Sequence, residues 1–183
     1  MFPRALKPPP GPVCVIDAGL IEQAMEQSRQ SPRGRVILPF HRSDQENFHR
    51  MLNALQPGTY IQPHRHLTPP KPESIIVLKG AIGIVTFDAG GQVTEQVALA
   101  AGGDRVGIDL HAGVYHTLVA LAPDTVLFEV KPGPYDARTD KDFAAWAPAE
   151  GSPEAPAYLA ALAAGFQPTD TFACVTVLPQ TRD

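Results

Sequence analysis

The sequence predicts an all-β domain of the sandwich, barrel or jelly-roll type with a helix at each end. Three observations predict it. Short apolar runs rich in β-branched residues recur from Tyr60 to Lys131, with turn residues every ~8–12 positions. Nothing between those runs is long enough to be the crossover helix that a parallel sheet requires. Glycine and proline supply 15 and 20 of the 183 residues, which breaks the chain too often for long helices.

The elements follow in order. Met1–Pro12 (MFPRALKPPPGP) is a proline-rich lead-in. Asp17 offers an N-cap, and Leu20, Ile21, Ala24 and Met25 recur at helical spacing until Pro32, predicting a helix over 17–30. Val36–Leu38 and Arg50–Leu55 read as strands, the second stopped by Gln56-Pro57-Gly58. Ile75–Leu78 ends at Gly80, and Ile82–Phe87 runs into Asp88-Ala89-Gly90-Gly91, a hairpin signal. Val93–Leu99, Val106–Leu110, Val114–Leu121 and Thr125–Lys131 complete the strands. Ser152-Pro153-Glu154 has the order of a cap, a first-turn proline and an acidic residue, ahead of an apolar run from Tyr158 to Ala164. The chain divides into a lead-in with N-terminal helix (1–34), a β-barrel (35–135) and a polar loop with C-terminal helical extension (136–183), one domain overall.

Composition excludes several classes. Apolar residues make up 44%, enough for a core, and the formal charge is −4, so no basic excess drives nucleic-acid binding. No run approaches the ~18 apolar residues of a membrane span, and the N-terminus lacks the apolar stretch of a secretory signal, so a cytoplasmic protein is expected. Cys14 and Cys174 sit in apolar contexts (VCVI and FACVTV) and read as small buried hydrophobes rather than a disulfide.

The chemistry concentrates in Gly58-Thr-Tyr-Ile-Gln-Pro-His64-Arg-His66, with Glu73 opening the next strand. On extended backbone, residues two apart share a face. His64 and His66 therefore project together, with Gln62 and Tyr60 on their side and Arg65 opposite. Glu73 follows a proline-stiffened loop that can carry its carboxylate to the pair, and His116 lies mid-strand with Val114 and Leu118 on its face. Three imidazoles and a carboxylate among apolar strands are costly unless a metal compensates them. The alternatives are a surface histidine pair and a core histidine bonded to backbone. Gln62, Tyr60 and His111 are candidates for contacts to the metal-bound residues or to a ligand, with Tyr60 expected to line the barrel and His111 read as a loop histidine that its place before the His116 strand could put at the barrel mouth. Arg65, Lys71, Arg50 and Arg42 are candidates for attracting an anion, against the alternative of solvated, outward charges. Asp136–Phe143 with Trp146 reads as a polar loop with aromatic anchors, packing on the barrel or serving as a lid or dimer contact.

Gly58 to Gly80 resembles the first cupin motif, a glycine, five residues, His-x-His, a gap, Glu, six residues and a glycine. His111-Ala-Gly-Val-Tyr-His116 resembles the second, with His111 in place of proline. The strings SRQSPRGR (28–35), RMLNALQPGTYIQPHRH (50–66), KPESIIVLKG (71–80), AGVYHTLVAL (112–121), FEVKPGPY (128–135) and TDKDFAAWAPAEG (139–151) are similar to WbuC-type cupin-fold metalloproteins. Those are small bacterial proteins associated with surface-polysaccharide gene clusters. The resemblance implies a double-stranded β-helix (jelly roll) with one divalent transition metal, Fe, Mn, Ni, Co or Zn, on His64, His66, Glu73 and His116. By the same analogy a homodimer is expected. Two functions of different class fit: a metal-dependent isomerase, epimerase or oxygenase acting on a small polar, sugar-derived molecule, or a non-catalytic protein that binds or senses such a ligand through the metal.

Overall fold

The computed structural model describes residues 5–166. Its elements are α1 (Ala18–Gln30), β1 (Arg35–Pro39), β2 (Phe48–Leu55), β3 (His64–Arg65), β4 (Glu73–Lys79), β5 (Ala81–Phe87), β6 (Val93–Ala100), β7 (Gly107–Leu110), β8 (Tyr115–Ala120), β9 (Thr125–Pro132), β10 (Asp142–Phe143) and α2 (Ala155–Ala163). The strands form two five-stranded sheets, ordered β1-β2-β9-β4-β7 and β10-β3-β8-β5-β6. All strand pairs within the sheets are antiparallel.

This order identifies the jelly roll. The β5–β6 hairpin folds the chain back along its own path, so that β4 pairs β7, β3 pairs β8 and β2 pairs β9. Each half of that long hairpin crosses repeatedly between the two sheets, which is the winding of a double-stranded β-helix. At the hairpin tip, Asp88 Oδ1 accepts the backbone N–H groups of Gly90 and Gln92, both at 2.9 Å. Gly80, between β4 and β5, has φ +74° and a Cα so close to Thr125 that a Cβ would meet its side chain at 2.5 Å.

Residue alternation sorts the core into layers. Leu55, Ile75, Val77, Ile82, Ile84, Leu110, Leu118 and Leu127 fill the space between the sheets. On the outer face of the first sheet, Ala24 and Met25 of α1 pack against Val36, Leu38, Leu52 and Val126. On the outer face of the second, Ala155, Leu159 and Leu162 of α2 pack against Tyr60, Val85, Phe87 and Val119. Asp17 caps α1 as the sequence predicts, accepting the Leu20 N–H at 2.9 Å.

Three expectations need correction. The C-terminal helix does not start at Ser152-Pro153: the Ala155 N–H closes a turn onto the Ser152 carbonyl, Glu154 takes the cap position without a side-chain bond, and Pro156 fills the first-turn role. Cys14 is exposed, because its VCVI stretch lies on the surface with Val13 and Val15 also exposed, and no element covers it. Tyr60 does not line the barrel; it packs outside the second sheet, beneath α2. Cys174 lies outside the described residues. Among the described residues no helix is long and apolar enough to cross a membrane.

Candidate metal centre

The strand registers bring the predicted ligands together between the sheets. His64 of β3 lies directly opposite His116 of β8. His66 follows just past the end of β3. Glu73 opens β4 in the facing sheet, on the inward row that continues through Ile75 and Val77. His64, His66, Glu73 and His116 are all at most 4% exposed. The ligand-type nitrogens of the three histidines lie within 4.8 Å of one another. Glu73 stands against two of them, with Oε2 at 3.1 Å from His66 Nε2 and Oε1 at 4.0 Å from His116 Nε2.

Each imidazole is tied to backbone by its Nδ1. His64 meets the Gln62 carbonyl at 3.0 Å and His116 the Val114 carbonyl at 3.0 Å. His66 meets the Asp140 carbonyl. A carbonyl can only accept, so all three rings donate from Nδ1 and carry a lone pair on Nε2 in the neutral form. The Nε2 atoms of His66 and His116 are buried with no hydrogen-bond partner. Glu73 Oε2 approaches His66 Nε2 to 3.1 Å without a hydrogen bond between them. Orphaned, inward-facing imidazole nitrogens beside a carboxylate are donors of the kinds that divalent transition metals take, and the three histidines could hold such an ion.

Electrostatics keeps these donors available. Burial pushes His64 well below the ordinary imidazole value, and Lys141 and His116 add to it. Burial also lowers His116, outweighing the opposing pull of Glu73. For Glu73, burial would raise the carboxyl, but its neighbours, the Lys131 ammonium among them, outweigh it and hold the group ionised.

Behind Glu73 lies an ionic cluster that sequence reasoning missed. The inward row of β9 carries Glu129 and Lys131, 7% and 8% exposed. Lys131 Nζ lies 3.2 Å from Glu129 Oε1, 3.6 Å from Asp140 Oδ2 and 4.0 Å from Glu73 Oε2. Asn53 donates to Glu129 Oε2 at 2.5 Å. Burial, with Glu73 nearby, raises the Glu129 pKa. The signal was available: in Leu127-Phe-Glu129-Val-Lys131, two charges fall on the face that Leu127 marks as inward. Lys71, expected as an anion attractor or a solvated charge, is neither. It is 3% exposed and bonded to Asp140 Oδ1 at 3.1 Å and to the Pro134 carbonyl at 2.6 Å.

The remaining candidates sit elsewhere. Gln62 turns its amide to the Ala144 carbonyl at 3.1 Å. Tyr60 donates its hydroxyl to the Pro148 carbonyl at 2.7 Å and sets its ring edge-on to Tyr158. Neither group is directed to the cluster by these bonds. Arg65 points outward, stacked over Tyr115 at 4.4 Å and bonded to Asp142 at 2.7 Å. His111 is exposed and lines a cavity of about 610 Å³ together with Arg65, Thr86, Asp109, Leu110 and Tyr115. None of the four candidate ligands lines that cavity, but its walls adjoin them: Thr86 lies opposite His116, and Leu110 opposite Glu73. The polar loop packs on the barrel through β10 and through Trp146, whose ring meets Phe87 and Tyr115.

A family model described as a domain of unknown function (DUF6016) matches residues 16–99. That span contains His64, His66 and Glu73, and stops short of His116. No curated protein matches the sequence. Among solved structures, an oxalate decarboxylase of Bacillus subtilis is similar at TM-score 0.43 and 17% identity, over 54% of this chain and 24% of its own. A study of the Mn(II) centres of that decarboxylase gives 18% identity and TM-score 0.43, over 55% and 24%. The Lactobacillus farciminis oxalate decarboxylase in its formate complex gives 21% and TM-score 0.42, over 55% and 28%. The matched region spans about a quarter of the length of those chains.

Proposed function

We propose that this chain is a jelly-roll metalloprotein in which His64, His66, Glu73 and His116 hold one divalent transition metal and offer it to a small polar, sugar-derived molecule. The carrying observation is the shared tautomer: three rings bonded to carbonyls by Nδ1, with Nε2 of each left for a cation. Nitrogen and carboxylate ligation suits Fe, Mn, Ni, Co or Zn. Four protein ligands leave up to two positions open in a six-coordinate shell, so a bound ion supplies Lewis acidity to the oxygens of a small ligand.

The chain's own residues do the rest. Backbone carbonyls fix the rings, the two sheets exclude bulk water from the ligand atoms, and Lys131 balances the carboxylates. The cavity bounded by Arg65, Thr86, His111 and Tyr115 has the volume of a small-molecule site and is where a ligand approaches. Isomerisation, epimerisation or oxygen-dependent oxidation fits an open metal position. The WbuC-type resemblance supports a sugar-derived substrate linked to surface-polysaccharide metabolism.

One observation favours a second reading, metal-dependent binding without turnover. Tyr60 and Gln62, two groups able to move protons or hold a substrate, are committed to the Pro148 and Ala144 carbonyls instead. Metal analysis of purified wild type, His64→Ala and His116→Ala tests the metal assignment, with near-stoichiometric metal expected in the first and a sharp loss in the variants at unchanged β circular dichroism. Equal metal in all three sinks it. Oxygen-uptake and sugar-turnover screens on the reconstituted protein separate the two functions, since thermal shifts without turnover mark a binder.

A further inference from the structure

A single short segment of the chain grips the His-x-His stretch residue by residue. Asp142 and Phe143 of β10 pair with Arg65 and His64. The Ala144 N–H donates to the Pro63 carbonyl at 2.9 Å, and the Ala144 carbonyl accepts from Gln62. Asp140 completes the set, its carbonyl taking the Nδ1–H of His66.

The carboxylate of Asp140 does something further. Its side chain is 3% exposed, and it holds two ammonium groups, Lys71 at 3.1 Å and Lys131 at 3.6 Å. Those lysines bracket Glu73. Lys71 is two residues upstream in the same chain, anchoring the loop from which Glu73 emerges. Lys131 reaches Glu73 across the β4–β9 pair, at 4.0 Å from Oε2. One residue therefore contacts His66 through its main chain and restrains both flanks of Glu73 through its side chain.

We infer that Asp140 is a positioning residue of the metal centre, setting the imidazole of His66 and the carboxylate of Glu73 relative to each other. This rests on the metal reading above. Partners beyond the ligands are as much part of a metal site as the ligands, and their loss typically weakens metal binding ~10–100-fold. A purely structural ion cluster would instead affect folding alone.

The test is Co(II) binding to the full chain, followed by titration and by the ion's visible absorption. Asp140→Asn removes the carboxylate charge and keeps the carbonyl to His66. It also leaves two buried lysines short of a partner, so a second variant, Asp140→Asn with Lys71→Met, removes one of those charges and relieves the folding cost. Wild type is expected to bind one Co(II). In Asp140→Asn the affinity falls by about tenfold or more, with a changed absorption envelope. The double variant regains thermal stability but not affinity. Unchanged affinity and spectrum in Asp140→Asn overturn the inference, as does an affinity that recovers together with stability in the double variant. Failure of the wild type to bind Co(II), Zn(II) or Mn(II) overturns the metal reading itself and this inference with it.

Discussion

His66 Nε2 and Glu73 Oε2 face each other at 3.1 Å while the other nitrogen of that ring is bonded to Asp140. In the neutral ring both facing atoms carry lone pairs, so a cation between them would relieve the contact. Ligands at ~2.0–2.2 Å from an octahedral ion lie about 3 Å apart along each edge of the coordination shell. The observed spacing equals the one that two adjacent ligands would have in the proposed centre.

Glu73→Gln separates the ligand role of this carboxylate from its role in packing. The amide keeps the shape and removes the anionic oxygen, and Lys131 retains Glu129 and Asp140 as partners. Metal affinity is expected to fall by more than the ~10–100-fold of an outer partner, at unchanged circular dichroism. Isothermal titration with Zn(II) or Mn(II) measures it.

The buried imidazoles make a pH prediction with a definite sign. His64 and His116 have folded pKa values below the ordinary ~6.5 of an exposed ring. Above that value neither the folded nor the unfolded chain protonates them, and their contribution to stability is complete. Below it the unfolded chain takes up protons that the folded chain refuses, so stability declines as pH falls from 6.5 towards the lowered values. The metal-free protein's Tm is expected to drop between pH 7 and pH 5, and to drop less in His116→Asn. Bound metal, competing with the same protons, shifts the decline to lower pH. Differential scanning calorimetry across that range checks both.

The parts of the molecule legible in the sequence are those written in period and punctuation. Apolar runs bounded by turn residues placed eight of the ten strands among the described residues, and Asp17 placed the start of α1, because those signals are local properties of the chain. The two-residue strands β3 and β10 carry no such pattern: they exist because Phe143 is brought opposite His64 by a segment 79 positions downstream. The ligand types could be read from His64, His66, Glu73 and His116, since a buried donor without a partner needs a reason. Glu129 and Lys131 could be read as inward from the row that Leu127 starts, but Lys71 and Asp140 could not be joined to them, as that assembly is decided by long-range pairing. Tyr60 went astray for a related reason. Its parity relative to His64 holds only on continuous extended strand, whereas residues 56–63 lie outside any strand and turn it outward under α2.

That relocation can be checked. With its hydroxyl on the Pro148 carbonyl and its ring among Val85, Phe87 and Leu159, Tyr60 supports the α2 layer and not the metal. Burial raises its pKa to about 12, so the phenol stays protonated as a donor. Tyr60→Phe is expected to cost about 1 kcal/mol of stability through the lost hydrogen bond. Metal stoichiometry and affinity should stay at wild-type values. Urea denaturation paired with metal titration measures both, and a weakened metal site would return Tyr60 to the cluster's surroundings.

The far end of the barrel from the metal is fastened by Asp124. Its carboxylate takes Arg29 of α1 through two bonds, at 2.8 and 2.7 Å, and the Gln56 amide at 2.9 Å, while its own N–H donates to Gln56 Oε1 at 3.2 Å. It does so from left-handed backbone, φ +56°, the sole non-glycine residue with positive φ among those described. The bond from Arg29, with help from Gln56, holds its pKa below the ordinary carboxylate value. The stabilisation is thus complete above that ordinary value and is lost as pH falls through the lowered one. Both Asp124→Ala and Asp124→Gly lose the three carboxylate bonds and keep the backbone N–H to Gln56, but only alanine keeps a Cβ that disfavours the left-handed conformation. Asp124→Gly is therefore expected to be the less destabilised of the two by about 1 kcal/mol. Chemical denaturation of the pair reads the difference. A glycine variant as weak as the alanine variant would mean that Asp124 keeps its conformation without strain and that the fastening is all in the side chain.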